Sequence, residues 1–206
     1  MNSKYIELTS MQEDVLREIT SIGTGNAATA LSSVISRKIE MTVPEVKIME
    51  YDDAIIEAGG HETIVAGVLV KISGDINGIM LYIQQLDFIN VVLESLMGRS
   101  ISDYHELNEI DISALTEVGN IIISSYLTAM SGLTGMTMNL SVPSICVNML
   151  GGILTVPMVE YGYEVGNIMT LGGSVRCDGK GVKSKLFLVP NAASLSTLFN
   201  KLGIEN

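Results

Sequence analysis

Two stretches of this chain repeat one another at a fixed distance, and that constrains the fold more than any single motif. A displacement of 99 residues (117 − 18) carries Glu18 onto Glu117, Ile22 onto Ile121, Thr29 onto Thr128 and Ala30 onto Ala129. The same displacement carries Ser32 onto Ser131 and Pro44 onto Pro143. Further on the halves match in kind. Met80-Leu81-Tyr82-Ile83 parallels Leu186-Phe187-Leu188-Val189, and Leu96-Met97-Gly98 parallels Lys201-Leu202-Gly203. A chain of 206 residues can hold one large domain or two small ones. A duplication inside it predicts two copies of one supersecondary unit.

The local signals say what that unit is. Residues 9–37 read as a long helix, with Thr9 or Ser10 as its cap and Glu13 and Asp14 in its first turn. Extended chain follows at Glu40–Met49, broken by Pro44, and then a polar loop with Gly59-Gly60. Thr63–Ile72 and Ile79–Ile83 form a hairpin about the turn residues Gly74–Gly78. Leu86–Met97 is a helix closed by Gly98. After a polar connector at Ser100–Asn108 the order recurs. A helix spans Ile110–Thr134, extended chain Met136–Met149, and β-like runs Gly166–Arg176 and Lys185–Val189. A last helix, Ala193–Leu202, stops at Gly203. The expectation is an α+β fold built by tandem, pseudo-two-fold duplication of an α-β-β-β-α unit. Three strands per half are thin for a separate sheet, so one mostly antiparallel sheet flanked by helices is expected. The whole of 1–206 is then a single domain made of repeats at about 9–98 and 110–203.

Each long helix carries an unusual polar face. At 100° per residue, with Asp14 as zero, Glu18 falls near about 40°, Ser21 near about 340° and Gly25 near about 20°. Val15, Leu16, Ile19, Ile22, Ala30 and Val34 make the expected core stripe, and Asn26, at about 120°, is expected on that side. In the second helix Ser113, Glu117, Asn120 and Ser124 form the polar stripe. Ala114, Leu115, Val118, Ile121, Ile122 and Ala129 form the apolar one. A solvated helix face usually carries Lys and Glu at i, i+4. These faces carry small residues instead, and one such face alone would read as a plain exposed surface. Two copies, each followed by a similarly placed proline, point to use.

Glu117 and Asn120 are three residues apart and so neighbours on the helix surface. Neither is a nucleophile with an adjacent base, which argues against covalent catalysis. Carboxylates are too few on either face to suggest a metal. An amide supplies donors and an acceptor without charge. That suits holding a water for in-line attack on phosphorus, as water-orienting glutamines do in GTPases. A Glu beside it can dock on a cation. Such a site needs a partner to bring the phosphorylated group.

The spacing resembles the motif of the CheC/CheX/FliY family of chemotaxis phosphatases: Asp or Ser, then Glu four residues on, Asn three further, and Pro after twenty-two more. Ser113, Glu117, Asn120 and Pro143 match in full. Asp14, Glu18 and Pro44 match in the first copy, where Ser21 stands in the place of Asn. Leu16–Ile19 and Ile22–Ala28 also resemble the family's first helix. The resemblance implies a phosphatase acting on the aspartyl phosphate of the response regulator CheY. It implies that Glu117 pairs with a lysine of phosphorylated CheY and that Asn120 orients the attacking water. Glu18 and Ser21 form a weakened second site. The Mg²⁺ is expected on CheY, with no cofactor or metal held by this chain, and CheD is a further implied partner. The alternative is a FliM-like, non-catalytic binding module.

Charge narrows the partners. The net charge is -11, with 12 basic and 23 acidic residues and no basic cluster, which disfavours nucleic acid and anionic membrane. No signal-peptide core or membrane-length apolar run appears, and Cys146 and Cys177 form neither a disulfide framework nor zinc spacing. Both are expected as buried thiols, in a cytoplasmic protein. The duplication supplies the symmetry that a homodimer would otherwise provide, so a monomer is expected. Gly23-Thr24-Gly25-Asn26 faintly suggests a phosphate loop, but it lies inside the helical pattern and lacks the P-loop lysine. His61 and His105 stand alone in polar loops and are expected to be exposed.

Overall fold

The computed structural model describes residues 9–42, 46–161, 167–171 and 174–203. The first repeat runs α1 (Ser10–Ile35), β1 (Ile39–Met41), β2 (Lys47–Glu50), α2 (Tyr51–Glu57), β3 (Ile64–Gly74), β4 (Gly78–Gln84) and α3 (Leu86–Met97). The second runs α4 (Glu109–Thr134), β5 (Met138–Leu140), β6 (Ser144–Met149), α5 (Leu150–Glu160), β7 (Asn167–Thr170), β8 (Val175–Cys177), β9 (Lys180–Val182), β10 (Ser184–Pro190) and α6 (Ala192–Lys201). A short 3-10 turn at Tyr104–Glu106 lies in the connector.

Among the described residues seven strands form one sheet in the order β2-β7-β10-β4-β3-β5, with β6 also on β3. A second, small sheet has the order β1-β8-β9. Every pairing is antiparallel. The repeats interlock: β5 and β6 share one edge of β3, while β2 pairs with β7 and β1 with β8. At the centre β4 meets its counterpart β10, Leu81 opposite Phe187. The pseudo-two-fold expected from the 99-residue displacement therefore runs between these two strands.

The uninterrupted apolar run of β4 follows from its burial on both faces. Met80 and Tyr82 join the core beneath α1, α3, α4 and α6, while Ile79, Leu81 and Ile83 join the one beneath α2 and α5. Each fully buried aliphatic or aromatic side chain contributes roughly 1.5–3 kcal/mol, so the five buried apolar residues Ile79–Ile83 of β4 anchor both layers.

Both long helices begin in capping boxes. Thr9 Oγ1 accepts from Gln12 N (3.3 Å) and Gln12 Oε1 from Thr9 N (2.9 Å). Asn108 Oδ1 accepts from Asp111 N and Asp111 Oδ2 from Asn108 N, each at 3.0 Å. Four orphan amides are satisfied this way, and the start of each helix is set. Among the described residues no helix is long and apolar enough to cross a membrane.

Several expectations need correction. Each unit contains an additional helix, α2 or α5, so the first reads α-β-β-α-β-β-α and the second α-β-β-α-β-β-β-β-α. The extended chain at Glu40–Met49 is two strands, and Pro44 lies outside the described residues. Val34 is exposed and Ile22 half-buried, because the core stripe of α1 is centred on Leu16, Thr20, Gly23 and Ala27 and drifts along the helix to Leu31 and Ile35. Asn26 is likewise exposed. Cys177 is buried, but Cys146 is exposed. Strand alternation on β6 turns Ser144, Cys146 and Asn148 outward and leaves Ile145 and Val147 against the core.

Candidate functional site

The second polar stripe lies along α4, a helix held on three sides. Leu115, Val118, Ile122, Ile123, Tyr126 and Met130 are buried beneath it. At its start the Asp111 carboxylate, fully buried, accepts from Arg99 Nη1 at 2.9 Å, while Arg99 Nη2 donates to the carbonyl of Glu106. Against the sheet Gly119 lies so close to β3 that an added Cβ would be 2.6 Å from Cγ2 of Val68. Against α1, Tyr126 packs over Gly23 and its hydroxyl is 2.7 Å from Thr24 Oγ1. Burial raises the Tyr126 phenol pKa.

These contacts leave one face of α4 to solvent. Ser113 and Glu117 are exposed and Asn120 is half-buried. Residues three apart on a helix have Cβ atoms about 5–6 Å from each other. No side chain among the described residues pairs with the carboxylate of Glu117 or the amide of Asn120. The neighbouring Ser124 hydroxyl donates instead to the backbone carbonyls of Asn120 (2.5 Å) and Ile121 (3.2 Å). A carboxylate and an amide are thus presented together on a rigid support, free to engage an incoming group. Pro143 is half-buried in the link between β5 and β6 and does not belong to this face.

The first stripe is presented by α1 in the same way. Asp14 and Glu18 are exposed and Ser21 is half-buried. Asp14 lies 3.7 Å from Arg17, a pair that is largely solvated and contributes little. The space above Gly25 is open. Where α4 offers an amide, α1 offers only the short hydroxyl of Ser21.

Sequence reasoning located both stripes but missed what seats them. Gly23, which suggested a phosphate loop, is the close-approach point beneath Tyr126, and Thr24 is buried in a hydrogen bond rather than free for an anion. The capping role of Asp111 could be suspected from its spacing to Asn108, but its pairing with Arg99 could not. His61 and His105 are exposed, as expected.

The profile of the CheC-like family matches residues 11–48 and 110–147, one segment in each repeat and each containing a complete long helix after its first residue. The chain is similar to the CheY-P phosphatase CheC of Bacillus subtilis (strain 168), with 31% identity over 196 residues, 93% of this chain and 94% of that one. Its fold is similar to that of Thermotoga maritima FliY, with a TM-score of 0.73 and 24% identity over 96% of this chain and 98% of the other. It is also similar to a chain of a FliG–FliM complex from H. pylori, with a TM-score of 0.69 and 10% identity over 94% and 100% of the two chains. This chain belongs to the CheC-like family.

Proposed function

We propose that this member of the CheC-like family hydrolyses the aspartyl phosphate of phosphorylated CheY, and that the face carrying Glu117 and Asn120 does the work. One observation carries the reading: a half-buried amide and an exposed carboxylate, about one helical turn apart on the same face and both without a partner among the described residues. Asn120 accepts a hydrogen bond from a water and donates one toward the phosphoryl group, which fixes the water in line with the bond to be broken. Glu117 pairs with a lysine of the partner and sets the approach. The water oxygen adds to phosphorus and the bond from phosphorus to the aspartyl oxygen opens. Aspartate leaves as carboxylate, and the phosphoryl group leaves as dihydrogen phosphate with both protons of the water. Mg²⁺ held by the response regulator would neutralise charge on the phosphoryl oxygens. Glu18 and Ser21 form a weakened or purely docking face, since a serine hydroxyl reaches less far than an amide. That face is where a FliM-like binding role applies. CheD remains a partner by family resemblance.

The test is the rate of phosphate loss from phosphorylated CheY with and without this protein. Acceleration at substoichiometric protein supports an enzyme. A rate identical to that of CheY alone refutes it and leaves the binding module.

A further inference from the structure

The polar stripe of α4 does not end at Asn120. Counted from Asn120, Ser113 falls at about 20°, Glu117 at about 60°, Ser124 at about 40°, Leu127 at about 340° and Ser131 at about 20°. The last three line a groove of about 520 Å³ between the C-terminal half of α4 and β5, completed by Gly132, Met138 and Leu140 among others. That volume falls within the range of roughly 300–1,000 Å³ usual for binding clefts. We propose that this groove is a second contact point for the phosphorylated response regulator, seating an uncharged, apolar-tipped segment beside its acyl phosphate. The proposal rests on the reading of Glu117 and Asn120 above.

Distance and charge support that occupant. At about 1.5 Å per residue the groove runs from roughly 6 to 18 Å beyond Asn120. A standard interface covers about 800 Å² per partner, a disc of about 16 Å radius. A partner that delivers its phosphoryl group to Asn120 therefore lies over most of the groove. None of the described lining residues is charged. A charged segment would lose hydration there without gaining a counter-ion, whereas an apolar one buries against Leu127, Met138 and Leu140. The matching positions of the first repeat differ. Ile39, in the place of Met138, is buried, and Glu40, in the place of Asn139, is ion-paired with Lys38. The uncharged groove thus accompanies the helix that bears the amide.

Gly132 offers a clean probe. A Cβ there meets nothing within 4 Å, so Gly132→Phe fills the groove without disturbing the core. Thr128→Lys places a charge in it from an exposed position. The probe is CheY held in its phosphorylated conformation by beryllofluoride, titrated with full-length protein. Both variants are expected to weaken binding about tenfold, equivalent to ~1.4 kcal/mol. In the phosphatase assay KM rises and kcat is retained, because Glu117 and Asn120 are untouched. Gly181→Phe on β9, also in open space, is the control and leaves both unchanged. Wild-type affinity in Gly132→Phe overturns the proposal, whatever the phosphatase assay gives. A wild-type protein that self-associates, with Gly132→Phe monomeric in sedimentation, overturns it in favour of a second copy of the chain. Loss of phosphatase activity in the wild type with the groove effect on affinity intact refutes catalysis and leaves the groove.

Discussion

Gly119 lies between Glu117 and Asn120 and sets how deeply α4 sits on β3, so Gly119→Ala tests whether that seating matters. The methyl group gains about 1 kcal/mol in helix propensity. Against that, it would stand 2.6 Å from Cγ2 and 2.8 Å from Cβ of Val68, which is itself fully buried. Ordinary carbon contacts are about 3.5–4.0 Å, so α4 must lift by on the order of 1 Å. Overpacking of this kind costs roughly 1–3 kcal/mol. The net expectation is a loss of up to about 2 kcal/mol, read as a lower urea midpoint at unchanged slope. A displacement of about 1 Å can cost on the order of 100-fold in rate, so kcat should fall even under conditions where the variant stays folded. Val68→Ala removes two of the three close contacts and leaves the one to Cβ. The double variant should therefore recover part of both losses, a coupling of roughly 0.5–3 kcal/mol. A stabilised Gly119→Ala with full activity would refute the argument, because it would mean that α4 does not press on Val68.

Arg99→Met removes the cation from a buried carboxylate of which Oδ1 already lacks a partner. Breaking a fully buried pair costs ~3–5 kcal/mol, and the partial exposure of Arg99 lowers the expectation to about 2–3 kcal/mol in denaturant melts. The double variant with Asp111→Asn should recover much of that, and failure to do so would count against a charge effect. Glu57 is held below its ordinary carboxylate pKa by a hydrogen bond from Lys185 and by the nearby Lys47. A depressed pKa means that the pair stabilises the fold above the ordinary carboxylate range and that this is lost as pH falls through the folded value. Glu57→Gln should thus cost under about 1 kcal/mol at pH 7, the pair being partly solvated. The deficit should shrink as the pH is lowered through the acid range, and a deficit constant with pH would contradict the assignment.

Much of this molecule is legible in the sequence because duplication prints its pattern twice. The bounds of α3 are given by its apolar spacing and by Gly98 as its left-handed cap. The polar stripes of α1 and α4 stand out because small residues replace the usual charges. The helices α2 and α5 were missed for physical reasons: α2 has only seven residues, and α5 carries the helix-disfavouring Gly151, Gly152 and Pro157. Yet Tyr51, Ala54 and Ile55 recur 99 residues on as Leu150, Ile153 and Leu154, in the i, i+3, i+4 pattern of a helix. Applying the repeat to that segment would have found both. The contacts that seat α4 were not legible, because Gly119 against Val68, Thr24 with Tyr126 and Arg99 with Asp111 join residues whose approach only the fold decides.

The central claim is that the two faces are unequal and that Asn120 carries catalysis. The direct measurement is the rate of CheY-phosphate loss with Asn120→Ala, Ser21→Ala and Ser21→Asn compared side by side. Removing a group that positions or stabilises the reacting atoms costs on the order of 100-fold in kcat. Asn120→Ala should lose about that much, Ser21→Ala should change little, and Ser21→Asn should raise the rate. Equal losses from Asn120→Ala and Ser21→Ala would contradict the account.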